Sequence, residues 1–236
     1  MDFSSYLLES LEDKGLFKVV FMSGQQGSGK STSYKKIIKG GDISPRVVTI
    51  DKWIEFIDPK KHNELRGKAQ HLTMAQLVLY VNGCLPLFVE TTGGDLPLLK
   101  QRTSAIQKIG YDVAGIFVNT SLETSLKRVK ARGETKGGRN IELDVVEKTY
   151  HTIESQKGEM KSLFSTFLEI DNNDGDLTND IVLYAYKKIL SFYKSPVNNM
   201  IGINNMIKMK ELGVKYLAPD IMSMSEIKSI LSRWDG

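Results

Sequence analysis

The stretch FKVVFMSGQQGSGKST, residues 17–32, decides the reading of the fold. It holds the complete pattern G-x-x-x-x-G-K-S, with Gly24, Gly27, Gly29, Lys30 and Ser31 in place and Thr32 following. An apolar run precedes it and a helix-like segment follows, which is the strand–loop–helix setting that a phosphate-binding loop requires. Glycines let backbone N–H groups converge on an anion without Cβ obstruction, and the helix N-terminus adds partial positive charge. The whole loop, Gly24, Gln25, Gln26, Gly27, Ser28, Gly29, Lys30, Ser31 and Thr32, is therefore expected to hold the phosphates of ATP or another nucleoside triphosphate. Lys30 would bridge the β- and γ-phosphate oxygens, and Ser31 would give an oxygen to Mg²⁺.

Outward from this loop, short apolar runs alternate with longer helical patterns. Strands are expected at Phe17 to Met22, Arg46 to Ile50, Leu85 to Glu90, Val113 to Val118 and Phe167 to Asp171. Helices are expected at Lys30 to Lys39, Ala69 to Val81, Leu96 to Ile109, Ser121 to Arg132, Leu143 to Leu163 and Leu177 to Tyr193. Strand and helix in alternation predict an α/β three-layer sandwich around a five-stranded, mostly parallel sheet. The glycine-rich segment at about 132–141 reads as a flap. Ser195-Pro196 then breaks the pattern, dividing residues 1–194, the phosphate-loop domain, from a C-terminal helical extension over 195–236. In that extension a last amphipathic helix is expected from Glu226 to Trp234, capped by Ser223 or Ser225.

With 236 residues the chain has length for one α/β domain and an appendage. Its 41% hydrophobic and 25% charged residues are ordinary for a globular protein, and a net charge of +4 permits a nucleic-acid partner without demanding one. Cys84 is the only cysteine, which excludes an intrachain disulfide and a cysteine-rich zinc site. His62, His71 and His151 have no metal-ligand spacing, and DNNDGD, residues 171–176, fails the calcium-loop pattern. No segment reaches the roughly 20 apolar residues of a membrane span, so a cytoplasmic location without membrane attachment is expected.

In an open α/β sheet ligands collect at the carboxyl ends of the strands, which directs attention to the residues there. Asp51 follows the second strand, where a carboxylate can orient an acceptor hydroxyl and take its proton, or can cap a helix over Lys52 to Ile57. Glu90 ends the third strand and would serve the magnesium shell or a substrate hydroxyl, with Thr92 and Gly93 in the turn that follows. Arg128, Arg132 and Arg139 lie on a helix and the flap after it, able to neutralise charge on a transferred phosphoryl group. Asn172, after the fifth strand, lies where an adenine ring would sit.

With these residues assembled, the chain resembles the zeta-toxin and polynucleotide-kinase group of P-loop kinases over roughly Phe17 to Tyr193. The resemblance is carried by GQQGSGKST, TIDKW, FVETTGGD, SLKRVKARGETKGGRNIELDVVEKTY and EIDNN. It implies that Lys30 and Ser31 are the phosphate and magnesium residues and that Asp51 is the catalytic carboxylate. Glu90 and Thr92 match the substrate-contacting turn of zeta toxins, and Arg132 matches a phosphate-reaching arginine of polynucleotide kinases. Two positions depart from the pattern: Ile54 stands where polynucleotide kinases carry an arginine, and Gly94 where zeta toxins carry a basic residue.

The expected function is a Mg²⁺- and ATP-dependent phosphotransferase acting on a hydroxyl acceptor: a nucleotide, a nucleic-acid hydroxyl or base hydroxymethyl group, or a sugar nucleotide. Two other classes remain open. One is a nucleotide-binding assembly protein that docks a protein partner through residues 196–236; the other is a hydrolytic NTPase.

Overall fold

The computed structural model describes residues 15–38, 43–58, 62–135, 141–173, 177–232 and 234. Five parallel strands, β1 (Lys18–Gly24), β2 (Arg46–Val48), β3 (Leu87–Glu90), β4 (Asp112–Asn119) and β5 (Thr166–Asp171), lie in the order β2-β3-β1-β4-β5. The central strand is thus the one that feeds the glycine-rich loop. Helices connect the strands: α1 (Lys30–Ile38), α2 (Ile50–Ile57), α3 (His62–Asn82), α4 (Leu96–Ile109), α5 (Leu122–Gly133) and α6 (Leu143–Ser162). Three more, α7 (Asn179–Lys194), α8 (Met200–Leu212) and α9 (Met224–Leu231), follow the last strand.

Strand residues alternate strictly between two cores, as the period of two requires. Val19 and Phe21 of β1, Leu87 and Val89 of β3, and Val113 and Phe117 of β4 face a core closed by α3, α4, α6, α8 and α9. Val20, Met22, Phe88, Ala114, Ile116 and Val118 face a second core closed by α1 and α7. Both faces are apolar because helices cover both, which is why the strands read as continuous hydrophobic runs rather than alternating ones. Gly115 sits where a Cβ would come within 2.5 Å of the Phe164 ring, so the sheet accepts that ring only against glycine.

The segment after Ser195 is fastened to this frame. Helix α8, which periodicity alone left unassigned, begins at an Asn199 side chain that accepts from the Ile201 and Gly202 amides, and it ends at a left-handed Gly213. It crosses the end of α4 backbone to backbone: a Cβ on Gly202 would lie 2.2 Å from the Gly110 carbonyl oxygen. Helix α9 opens with a full capping box between Ser223 and Glu226. These hydrogen bonds hold the Glu226 carboxyl below its usual range. Ile227, Leu231 and Trp234 are buried in the first core. Each such side chain contributes about 1.5–3 kcal/mol, so residues 224–234 belong to the fold energetically.

At the start of the sheet, Lys18 is 1% exposed. Its ammonium donates to Asp112 Oδ2 at 2.7 Å, Ser195 Oγ at 3.0 Å and the Pro196 carbonyl at 2.7 Å. Asp112 also accepts from the Asn198 and Asn199 amides, both at 2.8 Å. A buried charge is tolerated when paired and hydrogen-bonded in this way, and here the pairing ties the segment after α7 to β1 and β4.

Candidate active site

The glycine-rich loop is held by side chains that converge on its carbonyl oxygens. Lys30 Nζ donates to the carbonyls of Gly24 (2.8 Å) and Gln25 (2.9 Å). Ser125 Oγ on α5 donates to the Gln26 carbonyl, and Arg128 Nη1, one turn on, reaches the Gly27 carbonyl at 3.3 Å. Asn172 Nδ2, after β5, donates to the Ser28 carbonyl at 2.7 Å. Five consecutive carbonyls from Gly24 to Ser28 are thereby engaged around the loop's outside. That arrangement orients peptide dipoles so that N–H groups, not oxygens, are offered to an anion.

Glycine is needed here for a stated steric reason. Gly27 and Gly29 have φ of +78° and +84°, and Cβ atoms there would come within 2.6 Å of the Ser125 carbonyl oxygen and 2.5 Å of Asn172 Nδ2. Among the described residues, four of the seven buried side-chain atoms that lack a hydrogen-bond partner belong to this region: Gln25 Oε1, Gln26 Oε1, Ser28 Oγ and Asn172 Oδ1. Three of these atoms are amide oxygens, which can only accept, so what fits a nucleotide's phosphates is the loop's glycine-rich backbone and Lys30 rather than these orphaned groups.

The loop forms one wall of a cavity of about 540 Å³ at the carboxyl ends of the strands. Lys30, Ser31, Asp51, Glu90, Thr92, Arg128 and Arg132 all line it, so most residues singled out by sequence meet in one place. Ser31 Oγ donates to Glu90 Oε1 at 2.8 Å, joining the start of α1 to the end of β3. Asp51 stands exposed in the first turn of α2, not at a strand end, because β2 stops at Val48 and extended Thr49 takes the N-cap position. Its negative charge suits a helix start as well as a cavity wall. Ile54, one turn further, is buried in the core.

Other predicted residues sit elsewhere. Gly24 and Ser28 are buried beneath the loop, and Gln25 donates from Nε2 to Glu154 Oε1 at 3.0 Å on α6. Gly93 has φ +74°, and its missing Cβ makes room for Met160 and Ser23, so it is a packing position. Asn172 lines a separate small cavity of about 140 Å³, shared with Gly29, Thr32, Lys36, Arg128 and Leu177, on the far side of the loop. Arg139 lies outside the described residues, as does half of the expected flap at 132–141; Arg132 and Ile141, on either side of that part, line the cavity.

Three residues of the cavity were not found by sequence reasoning: Arg66 on α3, Arg102 on α4 and Trp234 after α9. No local motif marks them, since each is an ordinary helix or terminal position that only the tertiary fold brings to the site. Thr73 and Arg66, seven apart, share one face of α3, a signal visible only once that face is known to be the lining one.

No family model and no curated protein matches this chain. Solved structures do. A protein from Chloroflexus aurantiacus described as a candidate kinase aligns with 72% of this chain and 97% of its own, at 13% identity and a TM-score of 0.50. A component of the Pnkp1/Rnl/Hen1 RNA repair complex aligns with 60% of this chain and 45% of its own, at 19% identity and a TM-score of 0.50. The chain has the P-loop kinase fold. A third likeness is to the PezAT toxin–antitoxin system of Streptococcus pneumoniae, over 89% of this chain and 92% of that one, at 13% identity and a TM-score of 0.49. Among the described residues no helix is long and apolar enough to cross a membrane.

Proposed function

We infer that the protein is a phosphotransferase that moves the γ-phosphoryl group of ATP to a hydroxyl acceptor. One observation carries this reading. Lys30 and Ser31 of the phosphate loop face the same cavity as an exposed carboxylate, Asp51, with arginines entering from both sides. A hydrolase needs only a water-positioning group beside the phosphates, whereas an exposed carboxylate on the cavity wall is suited to an acceptor hydroxyl.

The chain's residues divide the work. The braced loop and Lys30 hold the β- and γ-phosphates, and Arg128 and Arg132 neutralise charge that spreads over the phosphoryl oxygens. Asp51 orients the acceptor and receives its proton as the acceptor oxygen bonds to the γ-phosphorus. The bond from that phosphorus to the bridging oxygen breaks, and its electron pair leaves with ADP. Ser31 Oγ and Glu90 Oε1 are the oxygens that would hold Mg²⁺. Among the described residues no group of three or more acidic, histidine or cysteine side chains forms a dedicated metal cage. The ion would draw its other ligands from phosphate and water, as Mg²⁺ commonly does, and would supply charge neutralisation.

Arg128 and Asn172, beside the small cavity behind the loop, are suited to holding the nucleotide base. The test is incubation with γ-labelled ATP against nucleotides, oligonucleotides and sugar nucleotides, with label expected on an acceptor hydroxyl. Asp51→Asn should lower kcat by roughly 10²- to 10⁴-fold while magnesium–ATP still binds. Label released only to water, at a rate no acceptor raises, would favour a hydrolytic NTPase instead.

A docking role for residues 196–236 has one favourable observation. Met200, Ile207 and Leu212 on α8, and Tyr216 after it, are half or more exposed.

A further inference from the structure

We propose that Glu154 on α6 is a positioning residue for the phosphate loop, acting through the side chain of Gln25. This rests on the loop being a nucleotide site, and it says what keeps that loop in register with the turn after β3.

Gln25 belongs to the loop, yet its side chain is fully buried and does not line the cavity. Its Nε2 donates to Glu154 Oε1 at 3.0 Å. A carboxylate can only accept, so the amide nitrogen must face it, and chemistry settles which way the Gln25 amide points. The other amide atom, Oε1, has no partner among the described residues. The bond to Glu154 is therefore what holds this side chain in place, and a buried amide that loses its one bond is left fully unsatisfied. At the other end of the same residue, the Gln25 carbonyl accepts from Lys30 Nζ at 2.9 Å. Anchoring the side chain restricts rotation of the peptide against which Lys30 rests. Glu154 thus bears on the aim of the lysine without touching a ligand.

The same helix backs two further parts of the site. Gln26 Nε2 lies 3.5 Å from Thr149 Oγ1, nearer the start of α6. In the turn after β3, a Cβ on Gly94 would lie 3.2 Å from Thr149 Cγ2 and 3.9 Å from Ile153 Cγ1, and one on Gly93 would lie 2.9 Å from Met160 Cε. Thr149, Ile153 and Met160 recur at helical spacing and share one face of α6, with Glu154 at its edge. Against that face the turn is held by close packing, with Ile153 and Met160 buried. The phosphate loop is held by polar side chains instead, and Glu154 is the charged one. One rigid helix therefore backs both the donor side and the strand end that carries Glu90, and Glu154 is the fastening on the donor side.

The test compares wild type with Glu154→Ala, Glu154→Gln and Gln25→Met, by calorimetric titration with magnesium–ATP and by steady-state turnover of labelled ATP. Glu154→Ala should weaken magnesium–ATP binding roughly 10-fold and lower kcat by a similar factor, because the loop loses its register as well as its hold on the phosphates. Glu154→Gln should recover most of both, since its amide oxygen accepts the same bond. Gln25→Met should reproduce the losses, and joining it to Glu154→Ala should add little to the larger single effect, as for two residues that act through one contact. A merely structural contact would lower the unfolding midpoint of Glu154→Ala and leave the affinity and kcat of the folded fraction unchanged. That result overturns the proposal, and so does a double variant whose losses multiply.

The titration needs no acceptor, which separates this proposal from the reading on which it builds. Affinity lost in Glu154→Ala and recovered in Glu154→Gln, with label passing to no acceptor, would keep the positioning role and remove the phosphotransferase reading. A wild type that takes up no magnesium–ATP would remove both.

Discussion

Strand β1 has a lysine at its start and another just beyond its end, and they are used in opposite ways. Lys18 is buried, and its partners, Asp112, Ser195 and Pro196, come from distant parts of the chain. Lys30 stands in the wall of a cavity and donates to two carbonyls of its own loop. A carboxylate partner in a dry site makes an arrangement that is costly to undo, while neutral carbonyls can yield to phosphate oxygens. Cavity size does not separate the two ends: about 560 Å³ opens near Asp112 and about 540 Å³ at the loop. What separates them is whether the polar groups satisfy each other or are gathered around a space.

The contrast can be broken by experiment. Lys18→Met leaves the half-buried Asp112 without its cation and should cost about 1–3 kcal/mol of stability by denaturant unfolding, with magnesium–ATP affinity kept in the folded fraction. A stability change under about 1 kcal/mol would mean that the Lys18 network is not structural. Lys30→Met should do the reverse, lowering phosphotransfer roughly 10²- to 10³-fold while the unfolding midpoint stays in place. If both variants lose stability alike, the two lysines play one role and the contrast is wrong.

A smaller effect sharpens the picture at the Lys18 end. Cys84, whose carbonyl accepts from the Phe17 amide, is fully buried, and burial pushes its thiol up to about 12. The group is thus a neutral thiol at pH 8, and alkylation should be slow in the native protein. Lys18→Met should speed that alkylation by loosening the same end of the sheet. A fast native reaction would show that this end opens readily.

How much of this was legible in the sequence depended on how locally each feature is encoded. The inner strands β1, β3 and β4 were readable because both sheet faces are covered there, which makes each a largely apolar run, while the edge strand β5 shows the alternating burial of a half-covered strand. The phosphate loop and Glu90 were readable because motif and strand end coincide, whereas Asp51, expected at a strand end, stands in the first turn of α2. Helix α8 was missed because apolar residues surround it on nearly all sides, which blurs the helical period; its Asn199 cap and Gly213 stop were the available signals. Arg66, Arg102 and Trp234 belong to the site through packing of α3, α4 and α9, and no spacing along the chain brings them together.

The Gly24 amide donates to the Thr92 carbonyl at 3.2 Å, and the Thr91 amide donates to the Met22 carbonyl at 2.9 Å. The floor under the phosphates and the floor under the acceptor are therefore one continuous piece of sheet. Such a floor behaves as a gauge of fixed length. If the proposed phosphotransfer holds, an acceptor must bring its oxygen across a gap that the protein cannot widen without unzipping β1 from β3, and reach would then count as much as affinity.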